Sequence, residues 1–458
     1  MLEDWFVSKT FVFCEFWKRC GGFISKTCEN LDFWKRICYN WLYIIMEQMM
    51  KTIKRAQLDT LKKVMGTPDI KVITGVRRSG KSTLLKLFEE YVANNIEDAA
   101  ITHISFNEIE FEELKEYHKL NNYIESRYVE GKQNFVLIDE VQMCDGFELA
   151  INSLHASSKY DIYVTGSNAF LASNDLATLF VGRVFPVEVY PFSFAEYLEY
   201  YDALGAEGFD RYKLLDKYVL DGGFAGSYIY DDEFEKTRYL EMIYDTMIVR
   251  DIQQKYSLQN EPLLVDIGNY LLDIISRLTT ANNIANVLNS ERQYTNNKTV
   301  SAYLQYFCNA FAFYKVKRYD IEGKNYLRSQ DKYYVCDHTL KMAKLGKKNM
   351  NYGSLYENMV AMELLRRGYE IYVGSLREKE IDFVAMRRDE KIYLQVSYDI
   401  STAETLEREV APLLAVKDAY PKLLLARTRQ PEQNYEGVRI IDIADWLCDA
   451  SYKVVDLK

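Results

Sequence analysis

Gly75-Val76-Arg77-Arg78-Ser79-Gly80-Lys81-Ser82-Thr83 is the stretch on which the fold turns. It fits G-x-x-x-x-G-K-[ST] and stands between an apolar run, Ile70 to Thr74, and a helical pattern opening at Lys81, the strand-loop-helix setting of a phosphate-binding loop. Glycines let successive backbone N–H groups curl round a phosphate with no Cβ in the way, and a helix N-terminus adds partial positive charge. The pattern assigns Gly75, Ser79, Gly80, Lys81, Ser82 and Thr83 to a bound nucleotide, ATP. The Lys81 ammonium would meet the β- and γ-phosphates and the Ser82 hydroxyl would ligate Mg2+.

Downstream, Phe135-Val-Leu-Ile-Asp139-Glu140 places four apolar residues before two acids. A buried strand here would deliver Asp139 beside the phosphates as a Mg2+ ligand, and Glu140 as the group that polarises an attacking water. One whole β-α unit, Ala100 to about Tyr128, separates the two motifs, which points to the additional-strand class of nucleotide hydrolases carrying a catalytic glutamate. The next strand, Ile162 to Thr165, runs into Gly166-Ser167-Asn168, where Asn168 or Ser167 can hold the attacking water or simply form a turn. Arg183, before a further strand, is a candidate arginine finger toward its own or a neighbouring subunit's γ-phosphate, or a surface arginine. Arg77 and Arg78 are expected to make ordinary salt bridges.

Strand and helix signals alternate from Ile70 to about residue 195, the pattern of a mostly parallel α/β sheet with right-handed crossovers. Beyond Pro191 the chain turns helical. Three helical patterns, Leu263 to Leu278, Ile284 to Asn289 and Thr299 to Phe311, precede a hairpin-like Phe313 to Arg318 and Asn325 to Leu327, which is the winged-helix order. The last 110 residues return to α/β. The expected organisation is an extension at 1–47, an ATPase core at 48–198, a helical lid at 199–258, a winged helix at 259–345 and a nuclease-like domain at 346–458. The extension concentrates Trp5, Trp17, Trp34 and Trp41 and is expected to precede a working protein that starts near Met46, Met49 or Met50.

Composition narrows the class. With 458 residues, 48% hydrophobic and 27% charged, the chain is globular rather than fibrous or disordered. A net charge of −10 argues against a surface that neutralises phosphates throughout, so any nucleic-acid contact must be focal. No apolar run is long enough to span a membrane and the acidic start is not a secretory leader, so a cytoplasmic protein is expected. The eight cysteines form no Cys-x-x-Cys pair and the four histidines are scattered, which favours reduced, buried thiols over a zinc site.

Together with Gly182-Arg183, Pro191-Phe-Ser-Phe-Ala-Glu-Tyr197, Gly222-Gly223-Phe224, Arg250-Asp251-Ile252 and Lys332-Tyr-Tyr-Val-Cys-Asp337, these motifs resemble the prokaryotic AAA-type ATPases followed by a domain of unknown function, DUF4143-like. The resemblance covers about residues 50 to 445. It implies ATP binding and hydrolysis by an AAA-type P-loop core with a helical lid, a winged helix and a restriction-endonuclease-like tail. In that tail Glu357 and Asp382 match the nuclease pattern, but Gln395-Val-Ser397 replaces the (Asp/Glu)-x-Lys pair, so an inactive nuclease fold is expected. On the would-be recognition helix, Asn297, Lys298, Ser301, Tyr303 and Gln305 are candidates for double-stranded DNA, against a plain packing role. Lys341, Lys344, Lys347 and Lys348 read as a solvated linker, and Cys336-Asp337-His338 as buried capping rather than catalysis. A nucleotide-driven switch leads. A nucleotide-gated DNA-binding or protein adaptor and an ATP-dependent nuclease are the alternatives, with a protein partner and a homo-oligomer left open.

Overall fold

The computed structural model describes residues 53–166, 180, 182–204, 210–291, 295–323, 325–348 and 350–449. Five strands, β1 (Ile70–Thr74), β2 (Ala99–Ser105), β3 (Gln133–Asp139), β4 (Tyr160–Thr165) and β5 (Val184–Glu188), form an all-parallel sheet in the order β2-β3-β4-β1-β5. β4 lies between β1 and β3, so the strand after the acidic pair is inserted beside the loop strand, as the spacing of the motifs predicted. A central parallel strand must be apolar on both faces, and every residue of β1 is buried. Val72 and Ile73 accordingly enter different cores, one shared with Ile138, Ile151 and Val164, the other with Leu84, Phe88 and Tyr163. Helices α1 (Ala56–Lys63), α2 (Lys81–Asn95), α3 (Tyr117–Ser126) and α4 (Phe147–Ala156) cover these faces.

A helical stretch follows: α5 (Phe194–Ala203), α6 (Arg211–Asp221), α7 (Glu233–Thr246), α8 (Glu261–Asp273), α9 (Ala281–Ser290) and α10 (Asn297–Asn309). Ser193, Asp210, Asp232, Asn260, Thr280 and Asn296 each accept a backbone N–H at the start of one of these helices. These caps set where the helices begin. Between α7 and α8, Met247–Gln254 winds as a π-helix, which nothing in the periodicity announces.

The C-terminal part adds β6 (Phe313–Asp320), β7 (Asn325–Val335), α11 (Thr339–Leu345), α12 (Tyr352–Arg366), β8 (Glu370–Leu376), β9 (Lys379–Arg387), β10 (Glu390–Ser397), α13 (Ala403–Ala415), β11 (Lys422–Ala426), β12 (Gln433–Tyr435), β13 (Val438–Asp442) and α14 (Ile443–Cys448). All eight strands make one mixed sheet, ordered β12-β13-β11-β10-β9-β8-β6-β7. The hairpin grouped by sequence with the three helices therefore belongs to the C-terminal sheet. β6 runs parallel to β8 from Arg318 opposite Val373 to Asp320 opposite Ser375, which satisfies an edge the hairpin would otherwise expose. One apolar core extends from Val76 in the phosphate loop through the helices to Trp446 and runs across the divisions expected at 258 and 345, while the two cores that line the parallel sheet draw only on residues before 198.

The lysine run is solvated only at its end, where Lys347 and Lys348 are exposed. Lys341 is buried and donates to the Asp273 carbonyl at 2.7 Å, while Lys344 and Lys347 pair with Asp245 and Glu233 on α7 at 2.8 and 2.5 Å. Asp337 accepts from Gly223 N at 2.6 Å and Thr339 N at 2.9 Å, so the Cys336-Asp337-His338 stretch caps buried backbone. Among the described residues Cys144, Cys308, Cys336 and Cys448 are free thiols, none fully exposed, and no helix is long and apolar enough to cross a membrane.

Candidate nucleotide-binding site

The carboxyl ends of β1, β3 and β4 bring Thr74, Asp139 and Thr165 to one rim of the parallel sheet, with the phosphate loop folded over it. Gly75 has φ +134°, and a Cβ there would lie 2.0 Å from the Val189 carbonyl oxygen, so the exit from β1 admits no side chain. Gly80 has φ +96° and caps α2, and a Cβ built on it meets nothing within 4 Å. The loop thus leaves open space where the first amides of a fifteen-residue helix converge.

Lys81 is 6% exposed, and its ammonium donates to the Gly75 and Val76 carbonyls at 2.9 and 3.1 Å. Burial pushes its pKa down, opposed by the nearby charges of Glu140, Asp251 and Asp139. Ser82 Oγ donates to Asp139 Oδ1 at 3.0 Å, and the Thr165 hydroxyl donates to the same oxygen. Thr165 Oγ1 also accepts from the Glu140 amide at 3.1 Å. Glu140 itself lies in the left-handed region at φ +56°, a strained conformation for a residue with a Cβ. Gln142 Nε2 donates to Glu140 Oε2 at 2.5 Å and orients its carboxylate.

These residues fit a magnesium-bound triphosphate. Ser79 Oγ is buried with no partner among the described residues, the space beside Gly80 is free, and Ser82 and Asp139 already present a hydroxyl and a carboxylate to one point. Thr83 follows half-buried on the first turn of α2.

Of the three predicted catalytic residues only Glu140 is described at this rim. Asn168 lies outside the described residues. Arg183 stands at the opposite rim: its carbonyl accepts from the amide of Ile70, the first residue of β1, at 2.9 Å. At about 3.3 Å per residue the five-residue strand puts the loop about 17 Å away, so Arg183 stands too far from its own subunit's phosphates, and being exposed it leaves the neighbouring-subunit and surface-arginine readings both open.

Arg77 does make a salt bridge, a bidentate one to Asp251. Sequence reasoning missed Thr165, whose only signal is a hydroxyl ending the strand beside the acidic pair. It also missed Arg55, which is buried with Nη2 donating to the Tyr190 carbonyl at 2.7 Å and Nε 3.2 Å from Glu196.

In the C-terminal sheet Glu357 and Asp382 do converge, but on a lysine. Lys332 of β7, 2% exposed, sits 2.8 Å from Glu357 and Glu380 and 3.6 Å from Asp382. Burial would lower its pKa, yet the three carboxyls together raise it. Gln395 accepts from Asp382 N at 3.3 Å, and Ser397 bonds locally to the Asp399 carbonyl. Among the described residues no acid, histidine or cysteine cluster suits a metal.

Sheet order, loop and acidic pair define an AAA-type P-loop α/β protein, and the family described as "AAA domain" matches residues 67–198. Residues 212–351 match "Domain of unknown function (DUF8612)", which replaces the DUF4143-like assignment expected from the motifs. The chain belongs to the same family as an uncharacterized protein of Haemophilus influenzae, to which it is 37% identical over 394 residues, 85% of this chain and 97% of that protein. It is also 27% identical to the uncharacterized protein MJ1544 of Methanocaldococcus jannaschii over 82% of this chain and 85% of that one. Among solved structures, that of the Aeropyrum pernix Orc1 protein in complex with DNA is matched at 10% identity and TM-score 0.30, over 67% of this chain and 93% of that chain. A likeness that slight adds nothing to what the sheet order already gives.

Proposed function

We propose that this protein binds Mg2+-ATP at the loop between β1 and α2 and hydrolyses it, and that the nucleotide state changes how the helices, hairpin and C-terminal sheet are held against the core. One observation carries the reading: Ser82, Asp139, Thr165 and Glu140 form a connected hydrogen-bond chain across the ends of α2, β3 and β4, beside a buried ammonium. Lys81 and the loop amides bind the phosphates, and Ser82 and Asp139 would hold Mg2+. When bound, the ion supplies positive charge to the β- and γ-phosphate oxygens. Glu140, fixed by Gln142, takes the proton from the water that attacks the γ-phosphorus as the bond to the β-phosphate oxygen breaks. Asn168, which follows β4, is proposed to hold that water, and Arg183 to act on a neighbouring copy.

The test is phosphate release by the wild type, Lys81→Ala and Glu140→Gln. Glu140→Gln should keep ATP binding and lose turnover by about 10²–10⁴-fold, whereas Lys81→Ala should lose binding. Equal background rates in all three would favour the adaptor reading. DNA is the second reading, supported by the exposed face that Asn297, Lys298, Ser301 and Gln305 make on α10; Tyr303 is buried and takes no part. The nuclease reading is disfavoured because the Lys332 ammonium already occupies the point on which Glu357 and Asp382 converge.

A further inference from the structure

Arg77 belongs to the phosphate loop, yet its guanidinium is held by a residue 174 positions further along the chain. Nε lies 3.0 Å from Asp251 Oδ2 and Nη2 lies 2.6 Å from Oδ1, a two-pronged pair. Asp251 is 2% exposed and sits in the π-helical segment Met247–Gln254. Its neighbours Met247, Ile248 and Ile252 belong to the same core as Val76 of the loop. The first half of the phosphate loop is therefore fastened to the helical stretch by both charge and packing. The pair also stands within the electrostatic reach of the site: Lys81 feels Asp251 and Arg77, and Arg77 feels Glu140. Segments with i→i+5 bonding are rare and concentrate where function demands them.

We infer that Arg77 and Asp251 form a latch between the phosphate loop and the π-helical segment, which the terminal phosphate of ATP opens by drawing the guanidinium off the Asp251 carboxylate. This rests on the ATP reading above. Arginine binds phosphate and carboxylate through the same planar fork, so one guanidinium cannot serve both fully. A carboxylate buried to this degree does not keep its place once its bidentate partner turns away, so the segment shifts or admits water. ADP, lacking the terminal phosphate, leaves the pair closed. Linkage fixes a sign: whatever factor ATP contributes to opening the latch, a chain with no latch gains in ATP affinity.

The experiment is amide hydrogen exchange on the full chain with Mg2+ and either ADP or an ATP analogue whose β–γ bridge does not hydrolyse, after fluorescent-nucleotide titration has established binding. Met247–Gln254 should exchange about tenfold faster with the analogue than with ADP. Asp251→Asn should bind the analogue about tenfold more tightly, with ADP affinity unchanged. Should Asp251→Asn not fold, the neutral pair Arg77→Gln/Asp251→Asn keeps a hydrogen bond and should show no difference between the two nucleotides. Equal exchange with both nucleotides in the wild type, unchanged or weaker analogue binding in Asp251→Asn, or a persisting response in the neutral pair would each overturn the latch alone. A folded wild type that binds no nucleotide would remove the ATP reading and the latch with it.

Discussion

At the end of β3 one oxygen, Asp139 Oδ1, accepts from both Ser82 and Thr165, and the Thr165 hydroxyl oxygen in turn receives the Glu140 amide. Thr165 acts through these two acids, so it is a positioning residue. Thr165→Val should lower turnover about tenfold or more while leaving the Kd for ATP nearly unchanged, and Thr165→Ser should restore it, as read by phosphate release and nucleotide titration. Lys332 shows the same dependence on neighbours. One ammonium cannot neutralise Glu357, Glu380 and Asp382 together, and burial, with the charge of Glu357 added, pushes the Asp382 carboxyl up to about 8. A carboxyl raised on folding contributes stability that is complete below its ordinary 3.8 and is lost as pH climbs through about 8. Thermal unfolding should therefore show the wild type losing stability relative to Asp382→Asn across that interval; a parallel pair of curves would refute it. Glu357 and Asp382 were legible as a pair, but Lys332 was not, since it enters from a different strand 25 positions before Glu357.

Elements with a local pattern were readable, β1 as an unbroken apolar run and α8 to α10 by their helical spacing, while their Asn and Thr caps set starts that the spacing alone placed two or three residues late. Elements whose form depends on distant partners were not. The π-helix carries ordinary helical residues, and Asp251 within it is explained only by Arg77. β7 extends to Val335, far beyond Leu327, because Lys332 and Tyr334 find Glu357 on α12, and Val335 N donates to Asn358 at 2.8 Å. Where β1 meets the loop the constraint is steric: Gly75→Ala would drive a methyl into the Val189 backbone. We expect a cost of about 3 kcal/mol or failure to fold, seen as a lowered urea midpoint or loss of soluble protein.

For the whole molecule the shared core matters more than the sequence of modules. The helical stretch, the hairpin and one face of the C-terminal sheet bury their apolar residues in one cluster, and β6 is hydrogen-bonded to β8 across the boundary expected at 345. A chain cut after Leu345 would strip β6 of its parallel partner β8 and Val335 of Asn358, and should aggregate rather than yield a folded ATPase with its helices attached. A soluble, cooperatively melting product of that cut would show the modules to be independent. Under the proposed ATP reading such sharing would give nucleotide a route outward, because Val76 of the loop belongs to this core and Arg77 beside it is paired with Asp251.

From its residues alone this chain determined the loop between β1 and α2, the acids at the end of β3, and the alternation that makes a parallel sheet, because those depend on local spacing, glycine geometry and runs of apolar side chains. Only the tertiary structure decided that Arg183 faces the wrong rim, that the hairpin belongs to the last sheet, and that Arg77 and Lys332 are each held by acids from other elements. Charge pairing and edge-strand pairing reach across any number of intervening residues, and distance along the chain carries no record of them.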